Sequence, residues 1–420
     1  AKSLEEGVIM PTAILPDIPS FFGSFNPKNY NKTYDGAVPA NECLIRSLNI
    51  PMVYLLNQYG VGKFQYELKN AGFNAIQKSK NYGLSLILGG AEVSLMELNK
   101  VYSNMALTLL NKKQKKISLF QNQTNNNEQL VLHKASIYTT FKTMLELNRP
   151  DEEGNWRVFE SSQKIAWKTG TSFGNRDAWA VGITPSYVVS VWVGNATGEG
   201  ATSLTGVKAA APILFDIFDK LPKSKKWFEE PKSEFTIVPV CVESGYRAGD
   251  ACEHIENKSV PSTCLKSSIC PYHHTVYVDI AQQFIVNADN TNRNDMVAEN
   301  YFTLPPLMQK YYMLKHPEYK ILPPNKSTIT NSKNGLQIVY PKNNSKILIP
   351  KLLNGELGKI VLESVVSNQQ SILFWHIDNA FIGQTTSIHQ LSINLPIGKH
   401  QLTVIDNNAN ERSILFEVIN

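Results

Sequence analysis

Helical and strand periodicities follow one another along this chain in a definite order. Residues 40–59 set Leu44, Ile45, Leu48, Val53, Leu55 and Leu56 at helical spacing. Pro51 suits a first helical turn, so this helix should start near Ser47 or Asn49. Residues 64–71 give a second short helix closed by Gly72, and residues 84–90 a tight turn of apolar residues and glycine. Over 94–110 the helix has Ser94 as N-cap and Glu97 at the capping-box spacing; 135–147 returns to helix. The period then changes to two. Strands are expected over 164–171, 178–183 and 187–194, with Thr184-Pro185-Ser186 turning the last pair. Residues 207–221 read as an amphipathic helix laid back on that sheet. A helical insertion followed by an antiparallel meander is an α+β arrangement.

Either side of this region the texture differs. Residues 1–7 read as the last turns of a helix ended by Gly7, an opening expected of a piece of something longer. Residues 1–36, rich in Pro, Phe, Asn and Gly, read as an irregular surface segment. Residues 111–129 read as a solvated polar loop. After Trp227 a connecting segment over 229–332 holds four of the five cysteines and many prolines; within it 301–324 is expected as a packed aromatic linker. Residues 336–420 carry about seven short strands, with turns at Asp378-Asn379 and Pro396-Ile397-Gly398 and a core Trp375, the pattern of an immunoglobulin-like sandwich. Three domains are therefore expected, 1–228, 229–332 and 333–420.

Composition narrows the class. Of the 420 residues, 42% are hydrophobic, enough for real cores and too many for global disorder. The net charge of +5 comes without a dense basic stripe, so no nucleic-acid partner is expected. No run of 18 apolar residues occurs, so any membrane attachment would come from an anchor upstream of residue 1.

The candidate chemistry lies on the first expected strand, at Lys168-Thr169-Gly170-Thr171-Ser172. Strand alternation puts Lys168 and Gly170 on one face, with no side chain at Gly170 to obstruct a ligand lying along the strand. A cation, hydroxyls and an approachable backbone suit a peptide carboxylate. Lys168, Thr169, Gly170, Thr171 and Ser172 are the candidate anchor, and the Thr171 N–H is a candidate oxyanion donor. Ser47-Leu48-Asn49 supplies a hydroxyl for proton relay and an amide for the substrate backbone. Ser24-Phe25-Asn26 and Ser79-Lys80-Asn81 match the same pattern at less ordered places. Against a site at Ser47 stands its reading as a plain N-cap. A nucleophilic Ser-x-x-Lys pair occurs only at Ser161-Ser162-Gln163-Lys164, where the extended run into Lys168 keeps Ser161 from lying one helical turn below Lys164.

These stretches together resemble the class A penicillin-binding proteins, most of all the 1C type. The resemblance rests on residues 1–7, Arg46 to Pro51, Leu84 to Gly90, Trp167 to Ser172 with Arg176-Asp177-Ala178-Trp179, and the tail with Trp375, Gly398, His400, Leu402 and Asp406. It implies a β-lactamase/transpeptidase-like domain over 1–228 and the subfamily's immunoglobulin-like domain over 333–420. It implies part of a bifunctional, membrane-anchored peptidoglycan synthase, glycosyltransferase first and D-Ala-D-Ala transpeptidase second, on the periplasmic side of the bacterial inner membrane. Its partners would be stem peptides, β-lactams and, through the C-terminal domain, other cell-wall synthesis proteins. The catalytic set would be Ser47, Asn49, Lys168 and Thr171, without a metal or cofactor. The nucleophilic Ser-x-x-Lys would lie just upstream of residue 1, leaving this chain alone inactive. A D-Ala-D-Ala carboxypeptidase or β-lactamase of the same fold is the enzymatic alternative, and a non-catalytic wall-binding scaffold is the alternative from another class.

In an exported, loop-rich segment, Cys241, Cys252, Cys264 and Cys270 are expected to form disulfides, paired 241–252 and 264–270. Zinc, helped by His273 or His274, is the alternative, although the spacings are not those of a standard zinc knuckle. Cys43 reads as a buried core residue.

Overall fold

A computed structural model describes the chain except residues 21, 23–24, 26, 77–81, 113–131, 148–162, 326–335, 349–358, 367–369 and 420. Ser24, Asn26, Ser79, Lys80, Asn81, Ser161 and most of the expected polar loop fall outside the described residues. The chain folds as two compact units, Ala1–Leu15 with Val38–Pro271, and Pro16–Ala37 with Tyr272–Asn420.

The first unit is built on an antiparallel sheet of Ala166–Thr171, Asp177–Ile183 and Val188–Gly194, in that order. Its two faces are covered by different helices. Leu95–Leu109 lies on the face of Ser190, where Asn99 Nδ2 donates to Ser190 Oγ at 3.1 Å. Ala211–Lys220 lies on the other face; a side chain on Gly182 would meet Phe218 at 2.5 Å. The capping box forms as expected, with Glu97 N–H donating to Ser94 Oγ and Ser94 N–H to Glu97 Oε2. Buried Ile137, Phe141, Trp167, Ala178, Ile183, Leu214 and Phe218 share this core.

A second core in the same unit corrects one expectation. Residues 1–36 are not a surface segment throughout: Ile9, Met10, Ala13, Ile14 and Leu15 are buried. Leu4, Met10, Val38, Cys43 and Leu48 pack with Val238, Val240 and Val260 from the strands Phe235–Cys241 and Ile255–Pro261. Burying these side chains stabilises by roughly 1.5–3 kcal/mol each, which ties residues 229–271 to the first unit.

In the second unit the expected sandwich forms from two sheets. Gln337–Tyr340, Ile360–Val365 and Gln390–Ile393 make one. The other runs Ser345–Leu348, Glu411–Ile419, Gly398–Asp406, Leu373–Ile377, Ala380–Thr385. Ser345–Leu348 pairs in parallel with the Phe416 to Ile419 end of its neighbour. Strand Ala380–Thr385 was not expected; its small and polar residues hide its period. Trp375, Leu373, Leu402, Val404 and Val418 are fully buried between the sheets. No helix among the described residues is long and apolar enough to cross a membrane.

Candidate active site

Two local structures build the site. The first is a helix end. Ala40–Ile45 stops in a Schellman arrangement: the Leu48 N–H reaches back to the Cys43 carbonyl at 3.0 Å and the Ser47 N–H to that of Leu44 at 3.3 Å. Leu48 and Cys43 pack together in the core beneath the turn. The residue at the turn's left-handed position is Ser47, with φ 55°, where glycine is the ordinary occupant. Asn49 then opens the next helix, Asn49–Tyr59, whose N-cap is Leu48. Ser47 therefore does not cap that helix, and its hydroxyl stands exposed beside the turn.

The second is the edge strand Ala166–Thr171. The Ser172 N–H donates to the Asp177 carbonyl at 3.0 Å. In an antiparallel ladder the paired residues alternate, so Gly170 and Lys168 also bond across to their partners Trp179 and Val181. Thr169 and Thr171 then point their backbone N–H and C=O groups to the open edge.

The sites meet at Lys168, whose ammonium donates to Ser47 Oγ and, at 3.1 Å, to the Thr169 carbonyl. Burial lowers the Lys168 pKa to about 8, because desolvation disfavours the charged form. The site thus holds a cation whose proton is easily exchanged near neutral pH, against a hydroxyl that can pass a proton on.

The other expected residues are engaged differently. Thr171 Oγ1 accepts the Gly206 N–H at 3.0 Å, which leaves the hydroxyl hydrogen to donate elsewhere. Ser172 Oγ accepts the Asp177 N–H at 2.8 Å and closes the hairpin rather than facing the groove. At Gly170 an added Cβ would have ordinary contact only, with Trp179 at 3.7 Å, so the strand is approachable there. Thr169 lies on the opposite face from Lys168, where Gly206 packs on its Cβ.

Gly206 was missed in the sequence. A side chain there would strike the Gly170 carbonyl oxygen at 2.5 Å and that of Trp179 at 2.7 Å. The available signal was a glycine at the mouth of an amphipathic helix that did not require one. A separate cavity of about 310 Å³, lined by Thr12, Tyr138, Lys142, Glu230 and Lys258 among others, contains none of these residues.

The expected disulfide pairs are not the groupings that form. All five cysteines are free thiols. Cys264 is buried with its sulfur on the Ile9 carbonyl, packed in the second core, while the Cys270 sulfur gathers with those of Cys241 and Cys252. Cys43 is fully buried, as expected.

The sequence family described as penicillin binding protein transpeptidase domain matches residues 1–219, and the Penicillin-Binding Protein C-terminus Family matches 326–416. Penicillin-binding protein 1C of Escherichia coli (strain K12) is 31% identical over 232 residues, 55% of this chain and 29% of that protein. Penicillin-binding protein 1B of Haemophilus influenzae is 28% identical over 207 residues, 47% of this chain and 26% of that protein. A crystal structure of penicillin-binding protein 1A from Haemophilus influenzae aligns with a TM-score of 0.47 at 17% identity, covering 62% of this chain and 46% of that one. The chain spans less than a third of the length of these two curated relatives.

Proposed function

The chain belongs to the penicillin binding protein transpeptidase family, and on that premise we propose that it serves peptidoglycan synthesis as the D-Ala-D-Ala transpeptidase part of a bifunctional glycosyltransferase/transpeptidase at the outer face of the bacterial inner membrane. The observation that carries this reading is the Lys168–Ser47 hydrogen bond set beside the open-edge N–H of Thr171. The terminal carboxylate of a stem peptide is drawn to the Lys168 ammonium and accepts the Thr171 hydroxyl hydrogen. The scissile carbonyl lies along the strand edge, where the Thr171 N–H stabilises the developing oxyanion. Asn49 binds the substrate's peptide amide. When the transpeptidase's nucleophilic serine attacks the scissile carbonyl and the bond to D-Ala breaks, Ser47 passes a proton to the departing amine and is reloaded from Lys168.

Acylation itself needs a serine whose proton an adjacent amine can take. Within these 420 residues that pattern occurs only at Ser161 and Lys164, so these residues by themselves bind the substrate carboxylate reversibly and are not acylated. The test is intact-mass spectrometry with excess penicillin, alongside calorimetry with a D-Ala-D-Ala peptide. No stoichiometric adduct is expected, and Lys168→Ala should abolish peptide binding. An adduct mapped to Ser47 or Ser161, or undiminished binding by the Lys168 variant, would overturn these roles.

A further inference from the structure

The first unit carries a second cluster of reactive side chains, apart from the Lys168 strand. The sulfurs of Cys241, Cys252 and Cys270 all lie within 4.8 Å of one another. Local structure explains the gathering. Strand Phe235–Cys241 ends in a tight turn, closed by the Gly245 N–H on the Cys241 carbonyl at 2.9 Å, with Gly245 at φ 66°. Arg247 then pairs back with Val240 and onward with Ile269, and the Cys270 N–H donates to the Arg247 carbonyl at 2.8 Å. The ladder thus delivers Cys241 and Cys270 to the same end of this small sheet. Cys252 arrives from the intervening loop, its N–H on the Gly249 carbonyl at 3.0 Å.

Each sulfur also accepts a hydrogen bond. The Ser244 N–H points at Cys241 Sγ and the Gly249 N–H at Cys252 Sγ, both at 3.4 Å. The Ser244 hydroxyl, fully buried, points at Cys270 Sγ at 3.1 Å. Donors converging on three adjacent sulfurs suit thiolates better than a disulfide, and one disulfide would leave the third sulfur stranded. Thiolates on a tetrahedral zinc stand about 3.8 Å apart at Zn–S bonds of about 2.3 Å, so only a small contraction is needed. We propose that Cys241, Cys252 and Cys270 form a structural zinc site. On binding, the three thiols release their protons to solvent, and the Cys241 thiol, which donates to the Glu243 carboxylate at 3.4 Å, has an acceptor beside it. Cys264, held in the core away from the group, is the internal control.

The test uses the whole 420-residue chain with zinc alone as probe. Elemental analysis and native mass spectrometry should give one zinc per chain. Cys241, Cys252 and Cys270 should resist alkylation until a chelator is added. Cys252→Ser and Cys270→Ser should each weaken zinc binding by on the order of 100-fold or more, while Cys264→Ser retains it. Should a serine variant fail to fold, cobalt titration of the unaltered chain decides, with thiolate-to-cobalt absorption expected at one equivalent. A mass lower by two hydrogens with no bound zinc, zinc binding that survives both serine variants, or cobalt binding without thiolate absorption would each overturn the proposal.

Discussion

The turn at Ser47 and the turn at Asp378-Asn379 use the same corner of backbone space for opposite ends. Ser47 sits at φ 55°, Asp378 and Asn379 at φ 49° and 66°. Asp and Asn tolerate the left-handed region, and here they are repaid locally. Asp378 Oδ1 accepts the Gln401 N–H at 2.8 Å and Oδ2 meets His400 Nδ1 at 2.7 Å, so the side chain pins the hairpin to its neighbour. Serine has no such tolerance, and the Ser47 hydroxyl accepts from the Lys168 ammonium rather than bonding to the turn. A left-handed position filled by a residue that helps the fold is scaffold. One filled by a residue that costs the fold something, beside a displaced lysine pKa, points to chemistry.

The comparison is broken most forcefully from the scaffold side. Trp375 lies in the strand that runs into the Asp378 turn, is fully buried, and donates to Thr385 Oγ1 at 2.9 Å. Trp375→Ala should cost the second unit about 3–5 kcal/mol, read as a lower melting transition, with the Lys168 titration in the first unit unmoved. A smaller loss, about 1–3 kcal/mol, is expected of Asp378→Ala by chemical denaturation.

The same pair gives a pH profile. Burial pulls the Asp378 carboxyl up, but hydrogen bonds from Gln401 and His400 outweigh it and hold it below 3.8. Burial pulls His400 down, but the Asp378 and Pro396 oxygens outweigh it and hold it above 6.5. The depressed carboxylate contributes stability that is lost as pH falls through its folded value. The raised histidine contributes stability that is lost as pH rises through its own. The second unit should therefore be most stable between these limits, with both flanks flattened in Asp378→Asn.

At the Ser47 turn the sign reverses. Ser47→Gly should leave stability unchanged or raise it by up to about 1 kcal/mol, while D-Ala-D-Ala peptide binding weakens and the Lys168 pKa moves. Thermal melts that fall with this substitution would make Ser47 an ordinary structural serine. Lys168 itself gives a further pH profile. Its folded pKa of about 8 lies below the ordinary 10.5, so the unfolded chain binds more protons between those values and stability should rise with pH across that window. Carboxylate binding should fall across pH 8 as the cation is lost, measured by calorimetry.

Much of this was legible before any coordinates. The capping box at Ser94 and Glu97, the three-stranded meander and the helix after it follow from spacing alone, because each is a local rule. The lysine strand was legible for the same reason. What escaped depends on distant partners. The burial of Met10 and Leu15 needs strands more than 200 residues later in the chain. The left-handed backbone of Ser47 follows from how one helix ends and the next begins, which the tripeptide does not encode. Gly206 acts by leaving room for a carbonyl oxygen on another strand. Cys264 and Cys270, six positions apart, look like a natural pair until one is drawn into a core and the other to the end of a small sheet.

The parallel pairing of Ser345–Leu348 with the far end of Glu411–Ile419 also sets an order of events. The first strand of that sheet emerges from the ribosome about 70 residues before the strand it leans on, and every edge it presents meanwhile is unpaired. Local hairpins such as Leu373–Ile377 with Ala380–Thr385 can close at once. The sheet as a whole cannot, because loop closure over such a separation precedes any reward from pairing. Within that sheet residues 345–348 wait longest, and a pause in synthesis before residue 411 leaves Trp375 without the Phe416 and Val418 side chains that complete its core.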